Sequence, residues 1–386
     1  MAETMNMMEV TIEKFTDLIK MDLEDENYEP IIGLGKSGVG KTMSIYELTQ
    51  QMGIGFCELR LVTLTETDML GIPTITEDGR TTYASNDLLP NVKRDGERGI
   101  LVLDEITSAQ STVRAAAYQL LDSKRALGNY KLPDGWKVVA LGNGIEDGGV
   151  FQGMEAAFLS RAMCYRIEPN LETWKKWAIR HGVNPSIIAY LTFDPTKLHE
   201  FDPDELASVF PCPRSWVALS KRLNAREQKA PNHLLSTEDV ELYAAGAVGI
   251  NVASAFAGFY SYNSKTIAPE DILSGKAKGS IVDEVDTEVV YLMIQSMIKQ
   301  LNTELEAGHS TIGSFKPECI ERTANLCKWI VDVADHKLDY AVVCIRDMTQ
   351  GVPLFAEMLL MSDEFDEKCP EFAQFAKDNG VVFRGN

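Results

Sequence analysis

The strongest constraint on this chain is an eight-residue stretch. Gly35-Lys36-Ser37-Gly38-Val39-Gly40-Lys41-Thr42 fits G-x-x-x-x-G-K-[ST] in full. Glycines at these positions let successive backbone N–H groups curl around a phosphate with no Cβ in the way. A helix that begins where the loop ends points its positive end at the same phosphates. In such a loop Lys41 reaches the β- and γ-phosphates, and the Thr42 hydroxyl ligates Mg2+. The apolar run Ile31-Ile32-Gly33-Leu34 precedes it and a helical stretch, Lys41 to Met52, follows, which is the context the motif requires. A rival motif shares these residues. Gly33-x-Gly35-x-x-Gly38 satisfies G-x-G-x-x-G, with acidic Glu58 further on, as in a dinucleotide fingerprint. That reading leaves Lys41 and Thr42 without a role.

A second motif is Ile100-Leu101-Val102-Leu103-Asp104-Glu105, an apolar strand that ends in two carboxylates. Downstream of a phosphate loop, Asp104 is suited to hold Mg2+ through its water shell, and Glu105 to polarise the attacking water as catalytic base. A third run, Val138 to Leu141, ends in Gly142-Asn143. An amide at that tip can orient the lytic water or touch the γ-phosphate; the plainer alternative is an Asn serving a turn. Two arginines complete the set. Arg161 follows Glu155-Ala156-Ala157-Phe158-Leu159-Ser160, where an arginine can project into a neighbouring subunit's nucleotide. Arg166 is the nearby alternative, held within a strand. Arg214, in Pro213-Arg214-Ser215-Trp216, starts a helix from which it can fold back on the γ-phosphate of its own subunit. A surface salt bridge is the competing reading of both.

Between Pro30 and Pro169, short β-branched runs alternate with amphipathic stretches. The runs are Ile31 to Leu34, Cys57 to Leu64, Ile100 to Leu103, Val138 to Leu141 and Cys164 to Ile167. They carry few charges, as strands buried on both faces of a parallel sheet do. The expectation is an α/β fold with five parallel strands between helices. After Pro169 the strand signal fades. Leu171 to His181 and Ser215 to Arg226 have helical spacing, and Ser236-Thr237-Glu238-Asp239 opens a further helix with a capping signature. From Thr266 the chain reads as helical and acidic to its end. The expected domains are an N-terminal helical segment over 1–29, a nucleotide-binding core over 30–170, a helical lid over 171–265 and an acidic helical extension over 266–386.

Composition narrows the partners. The 386 residues carry a formal net charge of -20, without the basic footprint of a protein that lives on nucleic acid. A protein partner is therefore favoured over nucleic acid. The seven cysteines are odd in number, widely spaced and form no CxxC, which suggests free thiols in a reducing cytosol and no zinc site. The N-terminus has no basic region followed by an apolar run, so neither a signal peptide nor membrane insertion is expected. The nearly charge-free stretch Ala244 to Tyr260 is too short and too rich in small residues for a spanning helix. A buried helix pair is the expectation there.

Together these motifs resemble the MoxR family of AAA+ ATPases, from about Asn27 to about Ala244. The phosphate loop matches Gly35 to Thr42, and the family's Leu-Asp-Glu strand matches Leu103 to Glu105. Its Glu-Ala-x-x-x-x-Arg segment is similar to Glu155 to Arg161, and its Pro-Arg helix start to Pro213-Arg214. Asp68-Met69-Leu70-Gly71 through Asn86-Asp87-Leu88-Leu89-Pro90 looks like the family's insert. The chain departs from the family in Ser160-Arg161-Ala162, where Asp-Arg-Phe is usual, and in Leu141-Gly142-Asn143-Gly144, where Thr-Gln-Asn-Pro is usual. The resemblance implies ATP and Mg2+ as ligands, Asn143 as sensor 1, Arg161 as arginine finger and Arg214 as sensor 2. It also implies a hexameric ring that remodels a protein client, often a partner carrying a von Willebrand factor A domain. The alternatives are a nucleic-acid-associated AAA+ motor, a restriction-type GTPase and a nucleotide-sensing scaffold. The loop itself does not distinguish adenine from guanine.

Overall fold

The structure, a computed structural model, describes residues 7–84, 87–144, 159–202, 208–230, 232 and 234–378. The chain divides into two compact units, Met1–Asn170 with Phe201–Ala207, and Leu171–Glu200 with Ser208–Asn386.

The first unit runs β1 (Met8–Val10), α1 (Ile12–Glu24), β2 (Ile31–Gly35), α2 (Lys41–Met52), β3 (Gly55–Arg60), α3 (Glu66–Leu70), β4 (Pro73–Ile75), β5 (Thr81–Tyr83), α4 (Val92–Asp95), β6 (Arg98–Asp104), α5 (Ser111–Leu121), β7 (Ala126–Leu127), β8 (Tyr130–Lys131), β9 (Gly135–Gly142) and β10 (Met163–Ile167). Six strands form one sheet in the order β1-β10-β2-β9-β6-β3. Every pairing in it is parallel. The α/β fold expected of the sequence is thus present, with all five expected strands. Met8–Val10 adds a sixth at the edge, in the segment expected to be helical only. One of the five runs ends differently from its apolar pattern. β3 stops at Arg60, and Leu61–Thr63 turns into a 3-10 helix that buries Leu61. β3 is also only half-buried, because it closes the sheet's other edge and has one neighbour.

The period of two along the central strands builds the two cores. Ile100 and Val102 of β6 join Val139 and Leu141 of β9 under α1 and α2, whose Phe15, Ile19, Leu23, Ile45 and Leu48 face them. Leu101 and Leu103, with Val138 and Ala140, point the other way, onto Val113, Ala117 and Leu120 of α5. Helices on both faces leave the inner strands dry, so neither β2 nor β9 has an exposed residue. At roughly 1.5–3 kcal/mol for each fully buried aliphatic side chain, these two layers hold the strand ends in fixed register.

The second unit is largely helical among the described residues. Its helices include Leu171–Arg180, Pro213–Glu227, Thr287–Gly308, Pro317–His336 and Leu338–Gly351. One continuous core joins Trp174, Trp216 and Phe256 to Met293, Ile330 and Ile345. The charge-free stretch forms two helices, Thr237–Val248 and Ile250–Ser261, that bury Ala244, Val248, Phe256 and Tyr260. The expected all-helical end contains one hairpin, His309–Thr311 with Ser314–Phe315. No described helix is long and apolar enough to cross a membrane.

Candidate nucleotide-binding site

Register brings the motif residues together. Leu34 pairs with Gly142 across β2 and β9, and Leu103 pairs with Ala140 across β6 and β9. The phosphate loop, the Asp104-Glu105 pair and Asn143 therefore leave the carboxyl ends of three adjacent parallel strands. That is where ligands bind in open α/β sheets.

The loop's shape depends on two glycines. Gly35 pairs with Ile167, and a Cβ on it would lie 2.2 Å from the Ile167 carbonyl oxygen. Only glycine lets β10 approach that closely. Gly40 has φ 99° with open space around it, so there the requirement is the left-handed backbone itself. Gly40 is the N-cap of α2 and no side chain caps that helix. The N-terminal end of α2 carries the positive end of the helix dipole.

Lys41 is buried, 8% exposed. Its Nζ donates to the Gly35 carbonyl at 2.7 Å, the Lys36 carbonyl at 3.0 Å and Asn143 Oδ1 at 3.1 Å. The Thr42 hydroxyl donates to Asp104 Oδ2 at 2.9 Å. The structure thus joins Lys41 to Asn143 and Thr42 to Asp104 across three strands. A hydroxyl beside a carboxylate is a hard oxygen set, the kind Mg2+ takes, and it leaves room in the shell for water and phosphate. The donor set fits that metal.

Glu105 sits in the turn after β6 with φ 57°, one of few non-glycine residues in the left-handed region. Its N–H donates to Asp104 Oδ1 at 2.9 Å, and its carbonyl accepts from the Ser108 N–H at 3.0 Å. Both bonds hold a backbone that costs about 1–3 kcal/mol to keep.

Arg161 is exposed, and its Nε stands 3.3 Å from Asp122 Oδ1, just past α5. Arg166 is on β10, with Nε 2.6 Å from Glu168 Oε1. Arg214 is exposed in the first turn of Pro213–Glu227, in the second unit. Residues 155–158 of the segment leading to Arg161 are outside those described. Two contacts had no signal in the sequence. Glu168 reaches Lys36 of the loop, Oε2 to Nζ at 3.5 Å. Thr107 accepts a hydrogen bond from the Asn143 N–H at 3.1 Å.

Strand order decides between the two glycine motifs. In a dinucleotide site the acidic residue ends the strand next to the glycine-rich one. Here Glu58 lies on β3, and β9 and β6 separate β3 from β2.

Residues 30–162 match the family model of the AAA domain, dynein-related subfamily. No curated protein matches the chain. Among solved structures, similarity is found to a candidate ATPase from Cytophaga hutchinsonii, at 14% identity over 88% of this chain and 82% of that one, with a TM-score of 0.31. A RuvB variant from Thermotoga maritima matches at 13% identity over 80% and 90%, with a TM-score of 0.33. Hsp104, in a closed state with ATPγS and casein, matches at 18% identity over 55% and 41%, with a TM-score of 0.34. The family match spans the phosphate loop, Asp104, Glu105, Asn143 and Arg161, and leaves out Arg214 and the helical unit. Residues 30–162 thus match an AAA domain of the dynein-related type, and the first unit has the AAA+ fold, a parallel sheet between helices.

Proposed function

We propose that this chain is a Mg2+-dependent ATPase of the AAA+ class, MoxR-like, that acts as a ring and couples ATP hydrolysis to remodelling of a protein partner. The observation that carries the reading is the junction of Lys41 with Asn143 and of Thr42 with Asp104 at three adjacent strand ends. In this reading the Lys41 ammonium exchanges its carbonyl acceptors for β- and γ-phosphate oxygens. The N-terminal end of α2 faces the remaining phosphate charge. Thr42 and Asp104 would hold Mg2+, which when bound neutralises charge on the phosphates. Glu105 accepts the proton of the attacking water, and Asn143 orients that water or the γ-phosphate. Arg161 acts as the finger toward a neighbouring subunit, and Arg214 acts as a second γ-phosphate sensor. The 171–265 stretch serves as lid and 266–386 as an extension. The acidic balance favours a protein client over nucleic acid, and by family likeness a von Willebrand factor A domain partner.

The test separates binding from chemistry. Glu105→Gln keeps a carbonyl oxygen but loses the base, so it is expected to bind ATP with Mg2+ and not turn it over. Nucleotide affinity and phosphate release, measured on the parent and the variant, check this. Turnover by Glu105→Gln at the parent rate would remove Glu105 from the mechanism.

A further inference from the structure

Thr107 is 1% exposed, in the turn that follows the Asp104-Glu105 pair. β6 and β9 end their ladder at Leu103 and Ala140. Two further bonds continue the join beyond it. The Ile106 N–H donates to the Leu141 carbonyl at 3.0 Å, and the Asn143 N–H donates to Thr107 Oγ1 at 3.1 Å. Between them lies Gly142, where an added Cβ would stand 2.8 Å from both Cγ2 and Oγ1 of Thr107. The missing side chain at 142 is what lets Thr107 press against the strand end.

From this geometry we infer that Thr107 is a positioning residue for ATP hydrolysis: its hydroxyl fixes the backbone of Asn143 so that the amide reaches Lys41. The inference rests on the proposed function and adds a residue to it. Thr107 touches neither Lys41 nor the carboxylates in any contact described; it acts through Asn143, whose Oδ1 accepts from Lys41 Nζ at 3.1 Å. The hydroxyl supplies an acceptor on the strand's side of the turn, and the methyl fills the space against Gly142. Valine keeps that shape and loses the acceptor, whereas serine keeps the acceptor. With the acceptor gone, the Asn143 N–H must find another partner, and the residue leaves β9 at a different angle.

The experiment is steady-state hydrolysis of ATP with Mg2+, with nucleotide affinity measured separately, on the parent, Thr107→Val, Thr107→Ser, Asn143→Ala and the double variant Thr107→Val with Asn143→Ala. Thr107→Val is expected to lower kcat about three- to tenfold, the rate equivalent of one neutral hydrogen bond, with affinity unchanged. Thr107→Ser should stay at the parent rate, and the double variant should equal Asn143→Ala alone. Gly142→Ala approaches the same contact from the other side, and should lower kcat likewise by displacing Thr107. A parent rate in Thr107→Val, an equal loss of affinity, or an undiminished effect on top of Asn143→Ala would overturn the inference while the ATPase reading stands. A parent chain that does not hydrolyse ATP would overturn both.

Discussion

Glu105 holds its backbone at φ 57° in a turn where glycine would rest without strain. Its neighbours fix it from two sides, through Asp104 Oδ1 and the Ser108 N–H. Stability therefore favours glycine at this position, whereas the proposed base role needs the carboxylate. Glu105→Gly removes about 1–3 kcal/mol of strain and gives back roughly 0.5–1 kcal/mol in unfolded-state entropy. The variant is expected to unfold at the same temperature as the parent or a higher one, and to lose hydrolysis. A thermal midpoint several degrees lower would show that the carboxylate itself stabilises the turn. Lys41 makes the opposite case, because its Nζ donates to carbonyl oxygens of the loop and to Asn143 Oδ1. Lys41→Ala removes the charge that faces the phosphates, so its loss should appear in nucleotide affinity, read by titration, before it appears in turnover.

At the scale of elements, the sequence was most legible where a motif and a period coincided. The runs of β2, β6 and β9 are apolar throughout because helices cover both faces, and each ends at a motif. β1 was illegible for a physical reason. It has three residues, an edge position and one partner, so little of its pattern is enforced by burial. The hairpin at His309–Thr311 was hidden in the same way. It interrupts a helical stretch on the strength of a turn at Gly313, φ 72°, and a Glu357 carboxylate that accepts from the Gly313 N–H at 2.6 Å. Thr107 was hidden because its role depends on Gly142, which is remote in sequence. Long-range pairing also governs the helical unit. Lys175 Nζ and Asp347 Oδ2, both almost fully buried, lie 2.8 Å apart, and Gln295 Nε2 donates to the same oxygen at 2.6 Å. The pair ties Leu171–Arg180 to Leu338–Gly351, helices that the sequence assigned to different domains. Removing one partner strands a buried charge, so Asp347→Ala should destabilise this unit by about 3–5 kcal/mol in urea unfolding. Replacing both, as Lys175→Met with Asp347→Leu, should recover most of that loss. A cost below about 1 kcal/mol for the single change would mean that Lys175 finds water or another acceptor.

For the whole molecule the question is whether one copy contains a complete site. Lys41, Thr42, Asp104, Glu105 and Asn143 converge within the first unit, whereas Arg161 is exposed and stands beside Asp122 instead. In phosphoryl transfer the protein mostly positions groups and stabilises charge, and an arginine supplied in trans can contribute roughly 10³–10⁵ in rate. An exposed arginine late in the core is suited to that role only if a second copy brings its nucleotide to it. Specific activity should then rise with protein concentration and level off as rings form, followed by light scattering across the same dilutions. Full activity in a monomer at the lowest concentration would exclude catalysis in trans. Mixing variants gives the sharper measurement. Arg161→Ala should retain ATP binding and lose hydrolysis, because its own loop is intact. Lys41→Ala should keep its arginine and lose nucleotide. In a mixed ring, interfaces that join the intact loop of one variant to the intact arginine of the other become complete, so the mixture should recover activity that neither variant has alone. The recovery should peak at intermediate mixing ratios, since such interfaces are most frequent there. If rings shown to be mixed recover nothing, the finger is not Arg161, and Arg166, paired with Glu168 at 2.6 Å, becomes the residue to replace next.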